Sequence, residues 1–121
     1  MGMFKKRVRV SNINDSTKFF EEDFWVDTGA LYSLIPIRYL EQIDFEPERT
    51  KDVLLANGSI EKKLFGHCKL EVIGLDNNTF CPVIAGNADS LFLLGATALE
   101  NFSVEVDLIA KDLKPMLAIM A

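Results

Sequence analysis

Metal ligands and nucleophiles are scarce in this chain: its 121 residues include one histidine, His67, and two cysteines, Cys68 and Cys81. Their spacing matches no metal-binding pattern, so no metal site and no cofactor are expected. Nothing points to an oxidising compartment, and the two cysteines are expected as free, half-buried thiols. Long apolar runs are missing too. The longest, residues 91–99, is interrupted by Gly95 and Thr97 and is far too short to span a bilayer. No apolar stretch follows the basic N-terminus, so no secretory signal is expected. Lys6 occupies the place where N-myristoylation requires Ser or Thr. These absences lead to the expectation of a cytoplasmic protein with no membrane contact. Excess positive charge is also lacking. Thirteen Lys+Arg against 18 Asp+Glu give a net charge of -5, which argues against a nucleic-acid partner. The one dense basic cluster, Lys5, Lys6 and Arg7 with Arg9, falls on a candidate strand and reads as a solvated edge.

What is present describes a single folded domain over residues 1–121. Hydrophobic residues make up 49% and charged residues 26%, enough to build a core without disorder. Residues 4–10 alternate apolar with basic side chains, with Lys6 out of step, and read as a strand. Turn residues at 12–16 return the chain as a second strand over 19–26. Residues 31–35 are short and apolar, Pro36 can open a helix at its first position, and Tyr39, Leu40 and Ile43 recur at helical spacing over 37–43. Residues 51–56 and 59–65 read as strands about a tight Asn57-Gly58 turn. Residues 68–75 read as a further strand, which places His67 beside a glycine at a strand start, as a structural or exposed residue. Residues 79–85 form another strand. Residues 91–94 read as a fully buried strand ending at Gly95, and residues 96–102 as two turns of helix. Residues 103–108 and 115–120 read as closing strands. Trp25, next to Val26, is expected in the core. Short strands with at most two short helices indicate a mainly antiparallel barrel or sandwich.

One motif carries chemistry. The apolar strand Phe24-Trp25-Val26 ends by placing Asp27 on the turn Thr28-Gly29-Ala30, which presents a carboxylate at the mouth of a cleft. It occurs once. Further along, Leu93-Leu94-Gly95 precedes Leu99 on the candidate second helix.

Together these residues resemble the retropepsin-like (clan AA) single-domain aspartic peptidases, a family of retroviral proteases and small bacterial and archaeal relatives. The resemblance covers most of the chain. It implies a mainly β fold, a closed antiparallel barrel of the acid-protease type with one or two short helices. It also implies a symmetric homodimer, because two aspartates are needed and each chain has one. Gly29 would bring its amide to the Asp27 carboxylate, and Thr28 would bond across the dimer axis. Leu93, Leu94 and Gly95 would support the turn from beneath, with the leucines filling the space under Asp27. Two carboxylates about 3 Å apart share one proton. The ionised partner activates a water that attacks the peptide carbonyl, and the protonated partner stabilises the oxyanion and protonates the leaving nitrogen. No metal or cofactor is required. Asn57, Gly58 and Ser59, with Ile60, Leu54 and Leu55 flanking, would form a flap over an extended, mainly apolar peptide.

Two departures qualify the resemblance. Retroviral members usually carry an acidic residue after the Ala, paired with an arginine after the second glycine; Leu31 and Ala96 stand there. Both halves of the ion pair are missing together, so no charge is stranded. This points toward a cellular relative. The C-terminal hairpin, expected over 104–120, is also longer than the viral pattern, so the dimer is expected to be built differently. Two rival readings stay open: a homodimeric module that binds peptides without cutting them, and a scaffold in which Asp27 merely caps its turn.

Overall fold

The computed structural model describes residues 4–116. In chain order the elements are β1 (Lys5–Ser11), β2 (Phe19–Val26), β3 (Ser33–Pro36), α1 (Ile37–Gln42), β4 (Arg49–Leu54) and β5 (Ile60–Val72). They continue with β6 (Asn78–Gly86), β7 (Leu93–Leu94), α2 (Ala96–Asn101), β8 (Val104–Asp107) and β9 (Asp112–Pro115). Strands pair in the order β1-β2-β7-β3-β6-β5-β4, and a further pairing of β1 with β5 closes six of them into a ring. β4 lies outside that ring as an extension of β5. The β2–β7 and β3–β6 ladders are parallel and the rest are antiparallel. The fold is therefore mainly β and closed, as its sequence indicates.

Alternation decides which side chains fill the ring. On the β1–β2 hairpin, Val8, Val10, Phe24 and Val26 point inward and are buried. Arg7 and Arg9 point outward, where Arg7 meets Asp23 at 3.4 Å and Arg9 meets Glu21 at 2.6 Å. Lys6, out of step in the alternation, pairs with Phe24 in the β1–β2 ladder, precedes the β1–β5 pairing that begins at Val8, and closes on Asp112 of β9 at 2.8 Å. β1 is no edge, since β2 and β5 flank it; the basic cluster is the solvated face of an internal strand. Trp25 corrects the core expectation. With Phe24 and Val26 turned inward, Trp25 must face out, where it is half-buried with the Lys5 ammonium 4.7 Å from its ring centroid.

Several boundaries also differ. The strands expected over 59–65 and 68–75 are one 13-residue strand, β5. Gly66 and His67 lie inside it. Gly66 is present because the Phe45 ring covers that point: a Cβ there would stand 2.7 Å from Phe45 Cζ. Pro36 is the last residue of β3 and the N-cap of α1, with ψ 137°, because it still pairs with Gly86. β7 is only Leu93–Leu94, and Leu91 is exposed. The last strand is Asp112–Pro115; residues 117–120 of the expected strand lie outside the described residues. Cys68 and Cys81 face each other across the β5–β6 ladder, free but fully buried rather than half-buried. Burial pushes both thiols up to about 12, so neither is a ready nucleophile.

Candidate active site

β2 delivers Asp27. Its last residues pair in parallel with β7, Trp25 with Leu93 and Val26 with Leu94, and the Asp27 amide then donates to the Leu94 carbonyl at 3.0 Å. There the chain turns. The Ala30 amide donates to the Asp27 carbonyl at 3.3 Å, and the Gly29 amide donates to Asp27 Oδ1 at 2.9 Å. Asp27 is 8% exposed, so its carboxylate is oriented by a backbone donor at a nearly closed position. A Cβ on Gly29 would stand 3.3 Å from Asp27 Oδ1, a tight contact that glycine avoids. Thr28 is exposed in the single chain.

The second motif locks this turn from below. Leu94 is fully buried, and Gly95 runs against the backbone of residues 30–32. A Cβ on Gly95 would meet the Tyr32 carbonyl carbon and oxygen at 2.6 Å and the Ala30 oxygen at 2.9 Å. The start of α2 bonds the same stretch, Ala96 N–H to Ala30 O at 2.7 Å and Thr97 N–H to Leu31 O at 3.1 Å. These backbone bonds join the two segments at the positions where the retroviral pattern places an ion pair. Leu93 departs from the expectation: it lines the cleft and pairs with Leu34, leaving Leu94 alone beneath the turn.

Ser33 adds a support for this turn that its sequence setting leaves unassigned. It is 1% exposed, and its Oγ accepts a hydrogen bond from the Gly95 amide at 3.1 Å. The signal was a lone polar residue within the apolar run at 31–35. Ser33→Ala strands a buried N–H, so it is expected to cost about 1–3 kcal/mol. The check is a lower urea midpoint at unchanged slope; an unmoved midpoint would show that the bond contributes nothing.

Beside the turn lies a cavity of about 470 Å³, walled by Gly29, Ala30, Tyr32 and Leu34 on one side and by Lys51, Val53 and Leu54 of β4 on the other. Asn57, Gly58 and Ser59 sit at the bend of the β4–β5 hairpin, with Gly58 at φ 86°. Asn57 does not share a two-residue turn with Gly58. The Gly58 amide bonds Leu55 O at 2.9 Å, which makes a wider loop with Gly58 as its left-handed last residue. The tip residues and Ile60 are exposed and do not line the cavity; β4 does. His67 lies elsewhere on β5 with Glu48, 2.8 Å from its Nδ1. Among the described residues, no three His, Cys, Asp or Glu side chains gather as a metal ion would require. No described helix is long and apolar enough to cross a membrane.

No protein-family model matches the chain, and no curated protein matches it in sequence. Solved structures do. The Simian Foamy Virus (mac) protease superimposes with a TM-score of 0.56 at 18% identity, covering 79% of this chain and 91% of its own. The EIAV protease, solved with the inhibitor HBY-793, gives 0.57 at 16% identity, covering 86% and 91%. The chain has the retropepsin-like aspartic peptidase fold.

Proposed function

We propose that the protein is an aspartic endopeptidase acting as a symmetric homodimer, in which two Asp27 carboxylates activate a water for peptide hydrolysis. One observation carries this reading. A single, nearly closed aspartate is fixed by the Gly29 amide beside a peptide-sized cavity, in a fold whose solved relatives include proteases. One such carboxylate is half of an acid–base pair, and a two-fold axis through the turn supplies the other. Thr28, exposed in the single chain, is free to reach the partner's turn. Asn57, Gly58, Ser59 and Ile60 form the flap tip that closes over the bound peptide. Leu31 and Ala96, tied by backbone rather than by charge, support a cellular member of this fold over a viral one.

Dilution tests the dimer requirement. Specific activity on a mixed peptide substrate is expected to fall toward zero as the chain is diluted below its dimer dissociation constant, in step with the dimer fraction from sedimentation. Activity that stays constant while the protein becomes monomeric would refute the shared site. A dimer that binds peptides without turnover would leave the binding-module reading in its place.

A further inference from the structure

Lys51 is a cation in a cavity that is otherwise mostly apolar. It points from β4 into the cleft, opposite Ala30, Leu34 and Ile84. Its ammonium sits 4.8 Å from the Phe65 ring centroid and 5.3 Å from that of Tyr32, with the Tyr32 hydroxyl 3.4 Å away. Two ring contacts and one long hydrogen bond leave hydrogen-bonding capacity of a three-donor ammonium unused.

The carboxylates of the same hairpin are already engaged. Asp52, which also lines the cavity, pairs with Lys62 at 2.9 Å, and Glu61 pairs with Lys63 at 3.0 Å. Just before β4, Glu48 meets His67 at 2.8 Å. Among the described residues, no carboxylate forms an ion pair with Lys51. The β4–β5 register makes the arrangement costlier still, because Lys51 stands directly opposite Lys63, and like charges in that relation repel. Lys63 relieves its own charge on Glu61 and on Asn87, 2.7 Å away. Lys51 has no such relief. A half-buried cation facing an apolar cavity, held there against a like charge, is complementary to an anion that arrives with a ligand.

We propose that Lys51 is a specificity residue that recognises a glutamate or aspartate side chain on the peptide lying in this cavity. The inference rests on the reading of the cleft as a peptide site, and it narrows that reading from apolar segments to apolar segments carrying one acidic residue. A charge-assisted hydrogen bond in a partly desolvated site favours the acidic peptide over its amide counterpart by roughly tenfold to a hundredfold.

The test uses the full chain and a randomised peptide library, with both cleavage products and bound peptides read by mass spectrometry. The wild type is expected to enrich Glu or Asp at one position relative to the scissile bond. Lys51→Met is expected to lose that enrichment, and Lys51→Glu, which sits well opposite Lys63, to replace it with Lys or Arg at the same position. Cleavage with no acidic preference, or a preference unchanged in Lys51→Glu, would overturn the inference while leaving the peptidase reading intact. If nothing is cut, retention of Glu peptides over their Gln counterparts by the wild type but not by Lys51→Met would uphold the inference and remove catalysis. Equal retention of both, or no retention, would overturn it.

Discussion

Replacing Asp27 by asparagine is expected to abolish peptide cleavage, a loss of about 10²–10⁴-fold or to background. In a symmetric dimer the substitution removes both carboxylates at once, so neither a base for the water nor an acid for the leaving nitrogen remains. The change is otherwise mild. Asparagine keeps an oxygen where Asp27 Oδ1 accepts the Gly29 amide at 2.9 Å, so the turn, the melting temperature and the dimer should persist. Mixing sharpens the result. If chains exchange freely in an equal mixture, about a quarter of dimers are wholly wild type, and activity per wild-type chain should fall to about half. Activity in proportion to wild-type chains would mean that each chain works alone. Full activity in the variant itself would end the acid–base account of Asp27.

Gly95→Ala is expected to produce the largest loss of stability. The new methyl group meets backbone, not a yielding side chain, at 2.6 Å from the Tyr32 carbonyl and 2.9 Å from Ala30 O. To make room, the α2 start must part from the Asp27 turn, which strains the Ala96–Ala30 and Thr97–Leu31 bonds and the Ser33 contact together. A cost of about 3 kcal/mol follows from overpacking of this kind, and a fall of roughly 10 °C in melting temperature for a chain of this size. Gly58→Ala is the control. Nothing lies within 4 Å of a Cβ there, and only the φ of 86° resists substitution, at about 1 kcal/mol. Calorimetry that ranks the two variants equally would show that the close approach under Asp27 is not a constraint.

The parts of this molecule legible in its sequence are those set by neighbours along the chain. The β1–β2 hairpin follows from alternation and a polar turn, and β2 ends at Val26, as the approach to Asp27 requires. α2 follows from a run of helix-compatible residues after Gly95. What was illegible depends on distant contacts. Gly66 reads as a break until Phe45 is seen lying against it. Closure through β1 and β5 joins residues about sixty positions apart, and no local pattern announces it. Trp25 is a different case: period-two alternation from Phe24 and Val26 was enough to place it outside. Of the site, Asp27, Gly29, Leu94 and Gly95 stand together as their motifs suggest, while Ser33 and Lys51 gained their places only from folding.

β5 runs unbroken from the bend at Asn57–Ser59 to the wall it shares with β1 and β6. The hairpin over the cleft is thus a cantilever clamped in the barrel, with no joint at its base. Lifting it loads the ladder at Phe65↔Ile84 first, beside Gly66 and under the Phe45 ring. Its stiffness is set there, by residues of which only Ile84 lines the cavity. On the proposed reading of the cleft, the rate at which a peptide enters and leaves is coupled to how firmly the barrel holds its own longest strand.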